Sequence, residues 1–325
     1  MKIRRLFVLL LMAFTVTLVG CKKDDLIQVG ILQYLEHNAL TAAREGFVDG
    51  LEEAGFVDGE NIKITVLNPE TNAPTMAIQA KELVRKSDLI LAIATPAASA
   101  VVNEAKEQGK DTPILFTAVT DPVEAKLIAS NEKPGGNVTG TNDMNPIKEQ
   151  ISLVKTLLPN ATKLGIIYTA SESNSEIQAN IAKTEAELEG LEVIVKTISS
   201  VNDLQLVANQ LANDVDAFYI PTDNAIAGSM GTVKEIILDK KIPAIVGEPN
   251  TVHSGGSITY GVDYYELGKQ TAQMAVQILK GEKQPKDIPS VGLSEYALVI
   301  NKKQLEEIGI TIPEELLDSA NEIIE

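Results

Sequence analysis

Leu91-Ala92-Ile93-Ala94-Thr95-Pro96-Ala97-Ala98-Ser99 runs from an apolar strand through a small polar turn into a helix. Ala217-Phe218-Tyr219-Ile220-Pro221-Thr222-Asp223-Asn224-Ala225 has the same layout. The likeness extends outward from both stretches. Thr112-Pro113-Ile114-Leu115-Phe116-Thr117 parallels Ile242-Pro243-Ala244-Ile245-Val246-Gly247. A whole lobe has been duplicated, in contrast to the short period of a solenoid.

Around these anchors, apolar runs alternate with amphipathic stretches. In the first half the pattern predicts strands over 27–32, 61–67, 88–94 and 113–118, with helices over 41–54, 75–86 and 99–108 between them. In the second half it predicts strands over 163–168, 191–198, 217–220 and 243–246, with helices over 176–189, 201–213 and 227–239. Strands separated by helices make parallel βαβ units, whose sheets are covered on both faces. The fold class is therefore α/β, with two doubly wound parallel-sheet lobes joined by a hinge. A helix over 146–158 leads into the second lobe, and a strand over 256–261 with a long helix over 265–280 leads back. The expected division is 21–142 with 258–290 for the first lobe, and 143–257 with 291–325 for the second.

The amino terminus has a different composition. Met1-Lys2-Ile3-Arg4-Arg5 is basic, 6–20 is apolar, and Leu18-Val19-Gly20-Cys21 precedes the polar Lys22-Lys23-Asp24-Asp25. Such a layout is a secretory signal over 1–20, too short to span a bilayer comfortably. Leu-Val-Gly-Cys resembles the lipobox of bacterial lipoproteins, which implies cleavage before Cys21, lipid on that residue, and a place on the outer face of the cell membrane. Cys21 is the chain's single cysteine, so a large core replaces disulfides.

The chain has 325 residues and a net charge of −17, which repels phosphate backbones and excludes nucleic acid as a partner. It has no tryptophan and 4% aromatic residues, so stacking platforms for sugars or bases are scarce. No Gly-x-Ser-x-Gly elbow, zinc-ligand spacing, phosphate loop or dinucleotide fingerprint is present, so no catalytic residue, metal or cofactor is expected. His37 and His253 are the only histidines, and His37 reads as a polar loop residue.

In open parallel sheets the ligand binds beyond the carboxyl ends of the strands. The residues there are Gln33, Tyr34, Leu35 and Glu36; Thr95 and Pro96; Thr117, Thr120 and Asp121; Asn142; the loop 169–175 with Asn174; Thr222, Asp223 and Asn224; Glu248; and Asp263. Thr95 and Thr222 open helices, where a hydroxyl either caps the helix or donates to an anion. Asp121, Asp223, Glu248 and Asp263 are either solvated loop acids or partners for a ligand ammonium. Tyr34 and Tyr264 line an apolar compartment or pack the hinge.

Val29-Gly30-Ile31-Leu32-Gln33-Tyr34-Leu35-Glu36-His37, Ala94-Thr95-Pro96-Ala97, Phe116-Thr117-Ala118-Val119-Thr120-Asp121-Pro122, Pro134-Gly135-Gly136-Asn137-Val138-Thr139-Gly140 and Gly261-Val262-Asp263-Tyr264-Tyr265-Glu266-Leu267-Gly268 together resemble the ABC-transporter substrate-binding lipoproteins of the tryptophan/tyrosine type. That resemblance implies a type I periplasmic-binding-protein-like fold and an amino-acid ligand, aromatic or large and apolar, clamped between the lobes. It also implies a membrane permease and its ATPase as partners. The carboxylate is then expected at Thr95 and Thr120, and the ammonium at Asp223, Glu248 or Asp263. A ligand-sensing lipoprotein and an exported hydrolase are the competing readings.

Overall fold

The computed structural model describes residues 26–325. The signal segment and the lipidation site at Cys21 lie outside the described residues. The first lobe opens with β1 (Ile27–Gln33), α1 (Asn38–Glu53), β2 (Ile62–Leu67), α2 (Ala73–Lys86), β3 (Leu89–Ile93), α3 (Thr95–Gln108), β4 (Ile114–Val119) and β5 (Val138–Asn142). The second contains α4 (Ile147–Leu157), β6 (Lys163–Thr169), α5 (Ser173–Leu188), β7 (Glu192–Ile198), α6 (Leu204–Ala212), β8 (Ala217–Ile220), α7 (Asn224–Ala227), α8 (Met230–Lys240), β9 (Ala244–Val246), α9 (Pro249–His253) and β10 (Ile258–Gly261). There follow α10 (Tyr264–Leu279), β11 (Ala297–Asn301), α11 (Lys302–Glu307), α12 (Glu314–Asp318) and β12 (Glu322–Ile324).

One sheet has the order β2-β1-β3-β4-β5 and the other β12-β11-β10-β9-β8-β6-β7. The segment β7-β6-β8-β9-β10 repeats the first sheet's order strand for strand, so the duplication read from the sequence is a duplication of topology. All pairings are parallel except β10 with β11. Central strands such as β3 and β8 are buried at every position, as helices on both faces require, whereas the edge strands β2 and β7 are largely exposed or half-buried. Each lobe has its own core, one around Phe47, Leu91 and Phe116 and the other around Ile166, Phe218 and Tyr219. Burying each such side chain contributes about 1.5–3 kcal/mol.

The helix after β3 begins at Thr95, four residues before the expected 99, because Pro96 fits the first turn, where its missing N–H is not needed. The helix expected over 227–239 is broken into α7 and α8, and α9 was not foreseen.

Three segments cross between the lobes: after β5, after β10 and before β11. Residues 258–261 were expected in the first lobe. They belong to the second sheet, where Ile258 pairs with Ile245 and the whole strand pairs antiparallel with β11. The chain returns only at 262–263, and α10 then packs along α1 of the first lobe. That packing is close. A Cβ at Gly46 would run into the backbone of Tyr265, and one at Gly268 into the backbone of Ala43 and Phe47. Among the described residues no helix is long and apolar enough to cross a membrane.

Candidate functional site

The carboxyl ends of both sheets face each other across a cleft. A narrow cavity, partly open to solvent, lies there. Its wall takes His37 and Leu40 from the start of α1, Thr120 from beyond β4 and Asp143 from beyond β5. From the second lobe come Asn174 of α5, Thr222, Asp223 and Asn224 after β8, and Glu248 and Thr251 after β9; Tyr264 opens α10.

The two lobes are joined across this cleft by side chains. Gln178 Nε2 donates to Thr120 Oγ1 at 2.8 Å and also to the hydroxyl of Thr222, whose N–H donates back to Gln178 Oε1 at 3.1 Å. Asn38 Nδ2 donates to Ser254 Oγ at 3.3 Å. His37 Nε2 and Asn224 Oδ1 lie 3.3 Å apart. Asn224 Nδ2 donates to Glu172 Oε2 at 2.6 Å, so the amide oxygen is an acceptor and His37 carries its proton on Nε2. Although His37 is only half-buried by area, desolvation in the cleft lowers its pKa to about 4, against the hydrogen bond to Asn224. It is neutral at physiological pH. Leu35 packs on Gly228 of the second lobe.

Carboxylates in the second lobe act chiefly on its own backbone. Glu172 accepts the N–H groups of Asn224 and Ala225, both at 3.0 Å, and so caps α7 from outside. Asp223 accepts Thr169 N at 2.6 Å, Thr169 Oγ1 at 2.8 Å and Ile226 N at 2.9 Å. Burial raises the pKa of both acids, and their mutual repulsion adds to the rise at Glu172. These carboxylates and burial also raise the phenol of Tyr34, which places that first-lobe residue beside them. Glu248 accepts Asn250 N at 2.6 Å and the hydroxyl of Thr251.

Burial lifts Glu248 from 4.5 to about 7, against the pull of Thr251 and Asn250. The raised folded-state value means that the folded protein binds the proton more tightly than the unfolded chain. This contribution is fully present below about 4.5 and is lost as pH rises through about 7. We expect stability of the ligand-free protein to fall by about 3 kcal/mol over that window from this group. Glu248→Gln should flatten the decline in urea titrations taken across it; an unchanged slope would remove Glu248 as its source.

Of the residues expected from sequence, Thr120, Asn174, Thr222, Asp223, Asn224, Glu248 and Tyr264 line the cavity, and the others do not. Asp263 is exposed on another face and caps α10 by accepting Tyr265 N and Glu266 N at 2.8 and 3.1 Å. Asp121 holds its own turn through Val123 N and Glu124 N. Glu36 is exposed and pairs with Arg44. Gln33 is buried, donating to the carbonyl of Leu35 and accepting from Arg44. Thr117 sits inside the sheet, accepting from Thr141. Asn142 belongs to the hinge, its N–H on the carbonyl of Val291. Thr95 is buried with its hydroxyl unpartnered, and Pro96 follows it in the first turn of α3. Glu172, Gln178 and Asp143 were not foreseen. Glu172 stood within the strand-end loop 169–175, so the strand-end rule would have found it. Asp143 stood one residue beyond Asn142. Gln178 carried no signal, because a polar residue inside an amphipathic helix reads as solvent-facing.

Residues 28–324 match the family of ABC transporter substrate binding proteins. The chain belongs to that family. It is a substrate-binding protein of an ABC transporter. It is 42% identical over 283 residues to the tyrosine-binding protein of Clostridioides difficile (strain R20291), covering 87% of this chain and 81% of the relative. An ABC domain in complex with L-Trp from Streptococcus pneumonia superposes with a TM-score of 0.87 at 38% identity, over 92% of this chain and all of the other. The ligand-free, open structure of a substrate-binding protein with adhesive properties from Clostridium difficile, also 38% identical, covers 91% of this chain and 99% of its own but reaches only 0.69. In this chain the hydrogen bonds across the cleft hold the two lobes together in a shut arrangement. Among the described residues no cluster of three or more His, Cys, Asp or Glu side chains could hold a metal.

Proposed function

We propose that the protein captures an amino acid with an aromatic or large apolar side chain between its lobes and hands it to a membrane permease driven by a separate ATPase. The observation that carries this reading is the polar cavity shut between the lobes by Gln178, Asn224 and their first-lobe partners. The tyrosine-binding relative and the L-Trp complex support the aromatic assignment. We assign the ligand carboxylate to the first-lobe side of the cleft, at Thr120, which lines the cavity, and at the start of α3, where the Thr95 hydroxyl is buried and unpartnered. Closure follows because a ligand touching both lobes binds the shut arrangement more tightly than the open one. The protein acts outside the cytoplasm, tethered by lipid on Cys21.

Because the chain has no tryptophan, bound tryptophan would be the sole indole in the complex. Titrating the purified protein with L-tryptophan should shift the indole emission to the blue, and calorimetry across the common amino acids should select tyrosine, tryptophan or phenylalanine. Absence of heat with all of them would overturn the reading.

A further inference from the structure

We propose, resting on the amino-acid reading above, that Asp143 receives the ligand's α-ammonium and couples it to the hinge. Three carboxylates around the cavity are already supplied with donors: both oxygens of Glu172, of Asp223 and of Glu248 accept hydrogen bonds from the second lobe itself. Asp143 differs. Its Oδ2 accepts the Tyr264 hydroxyl at 2.5 Å, but its Oδ1 has no donor within hydrogen-bonding geometry, although the residue is only 3% exposed. A buried acceptor without a partner is costly, and a ligand N–H⁺ would supply the missing donor. Burial raises the Asp143 pKa and the Tyr264 hydroxyl pulls it down; the Thr120 hydroxyl acts in the same direction from outside hydrogen-bonding geometry. A cation at Oδ1 would favour the ionised form further.

A second orphan acceptor lines the same cavity from the other lobe. Asn174 Oδ1 is buried without a partner. The amide cannot be turned round, because Nδ2 donates at 2.9 Å to the carbonyl of Thr222, which only accepts. An ammonium has three protons to give, and these two oxygens take two of them.

Asp143 also stands where the chain crosses between lobes. Its N–H donates to the carbonyl of Val119 at 3.2 Å, and its own carbonyl accepts Asn145 Nδ2 at 2.9 Å. Asn145 Oδ1 in turn accepts the N–H of Val262, in the second crossing segment, at 3.0 Å. With Tyr264 just beyond, one carboxylate is tied to two of the three crossings. A ligand drawn onto Oδ1 therefore favours the hinge geometry that puts this oxygen at the cavity wall.

The test compares each aromatic amino acid with its desamino acid, which keeps the side chain and carboxylate but has hydrogen in place of the ammonium. In calorimetry the wild type should prefer the amino acid by at least about 100-fold. Asp143→Asn should lose most of that preference while binding the desamino acid nearly as wild type does. A wild type that binds no amino acid defeats the amino-acid reading itself. A wild type that binds one, with a variant that still discriminates as strongly, defeats only the role of Asp143. If Asp143→Asn does not fold, the crystal structure of the wild-type complex decides: the ligand nitrogen on Asp143 Oδ1 supports the assignment, and the nitrogen on Glu172, Asp223 or Glu248 alone overturns it.

Discussion

Glu172→Ala is expected to lower the unfolding free energy by about 3 kcal/mol or more and to weaken ligand binding at least about tenfold. The substitution leaves three buried donors without an acceptor: the N–H groups of Asn224 and Ala225 and the side-chain amide of Asn224. Each orphaned donor costs about 1–3 kcal/mol. Relief of the repulsion between Glu172 and Asp223 offsets part of this loss. The binding loss follows from geometry. Glu172 fixes the side chain of Asn224, and Asn224 meets His37 across the cleft. With that amide loose, the closed state loses a contact that the open state never had. Urea unfolding with calorimetry on the same preparation checks both parts. A variant within about 1 kcal/mol of wild type would mean that water replaces the carboxylate and that the cap is dispensable.

Gly268→Ala should destabilise the first lobe by about 2 kcal/mol, a sign opposite to what helix propensity gives. In an exposed helix interior alanine is favoured over glycine by about 1 kcal/mol. Here a Cβ would collide with the carbonyl of Ala43 and the amide nitrogen of Phe47, which are backbone atoms and cannot rotate aside. The helices must move apart, and overpacking of that kind costs about 1–3 kcal/mol, at the upper end when backbone is the obstacle. The displaced helix α10 also carries Tyr264 at its start, so the hinge contact to Asp143 should loosen with it. Thermal unfolding of the variant against wild type measures the sign directly; a raised melting temperature would show that the crossing has slack.

The architecture was open to reading because it is written locally. A parallel strand covered on both faces has to be apolar throughout, as 89–93 and 217–220 are, and a helix covering it has to show a stripe. Two copies of that pattern in one chain leave few topologies, and the strand-end rule then named the loops that form the cleft. It could not say which side chain in each loop is spent on the fold. Asp223, Glu248 and Asp263 look alike in sequence, each an acid just beyond a strand. Only the packed structure shows that Asp263 faces solvent and that the other two are occupied by neighbouring donors. Gln178, in the middle of a helix, gave no local sign that it would reach the other lobe.

From the amino acids alone came two like-built α/β lobes and the strand-end loops that face one another across the cleft. Those follow from the period of apolar residues and from motifs a few residues long. The tertiary structure decided where β10 pairs, which three segments form the hinge, and which buried oxygens remain without a donor. Each of those depends on groups far apart in the chain meeting in space, and hydrogen bonding is satisfied pair by pair between such groups, so no local pattern records it.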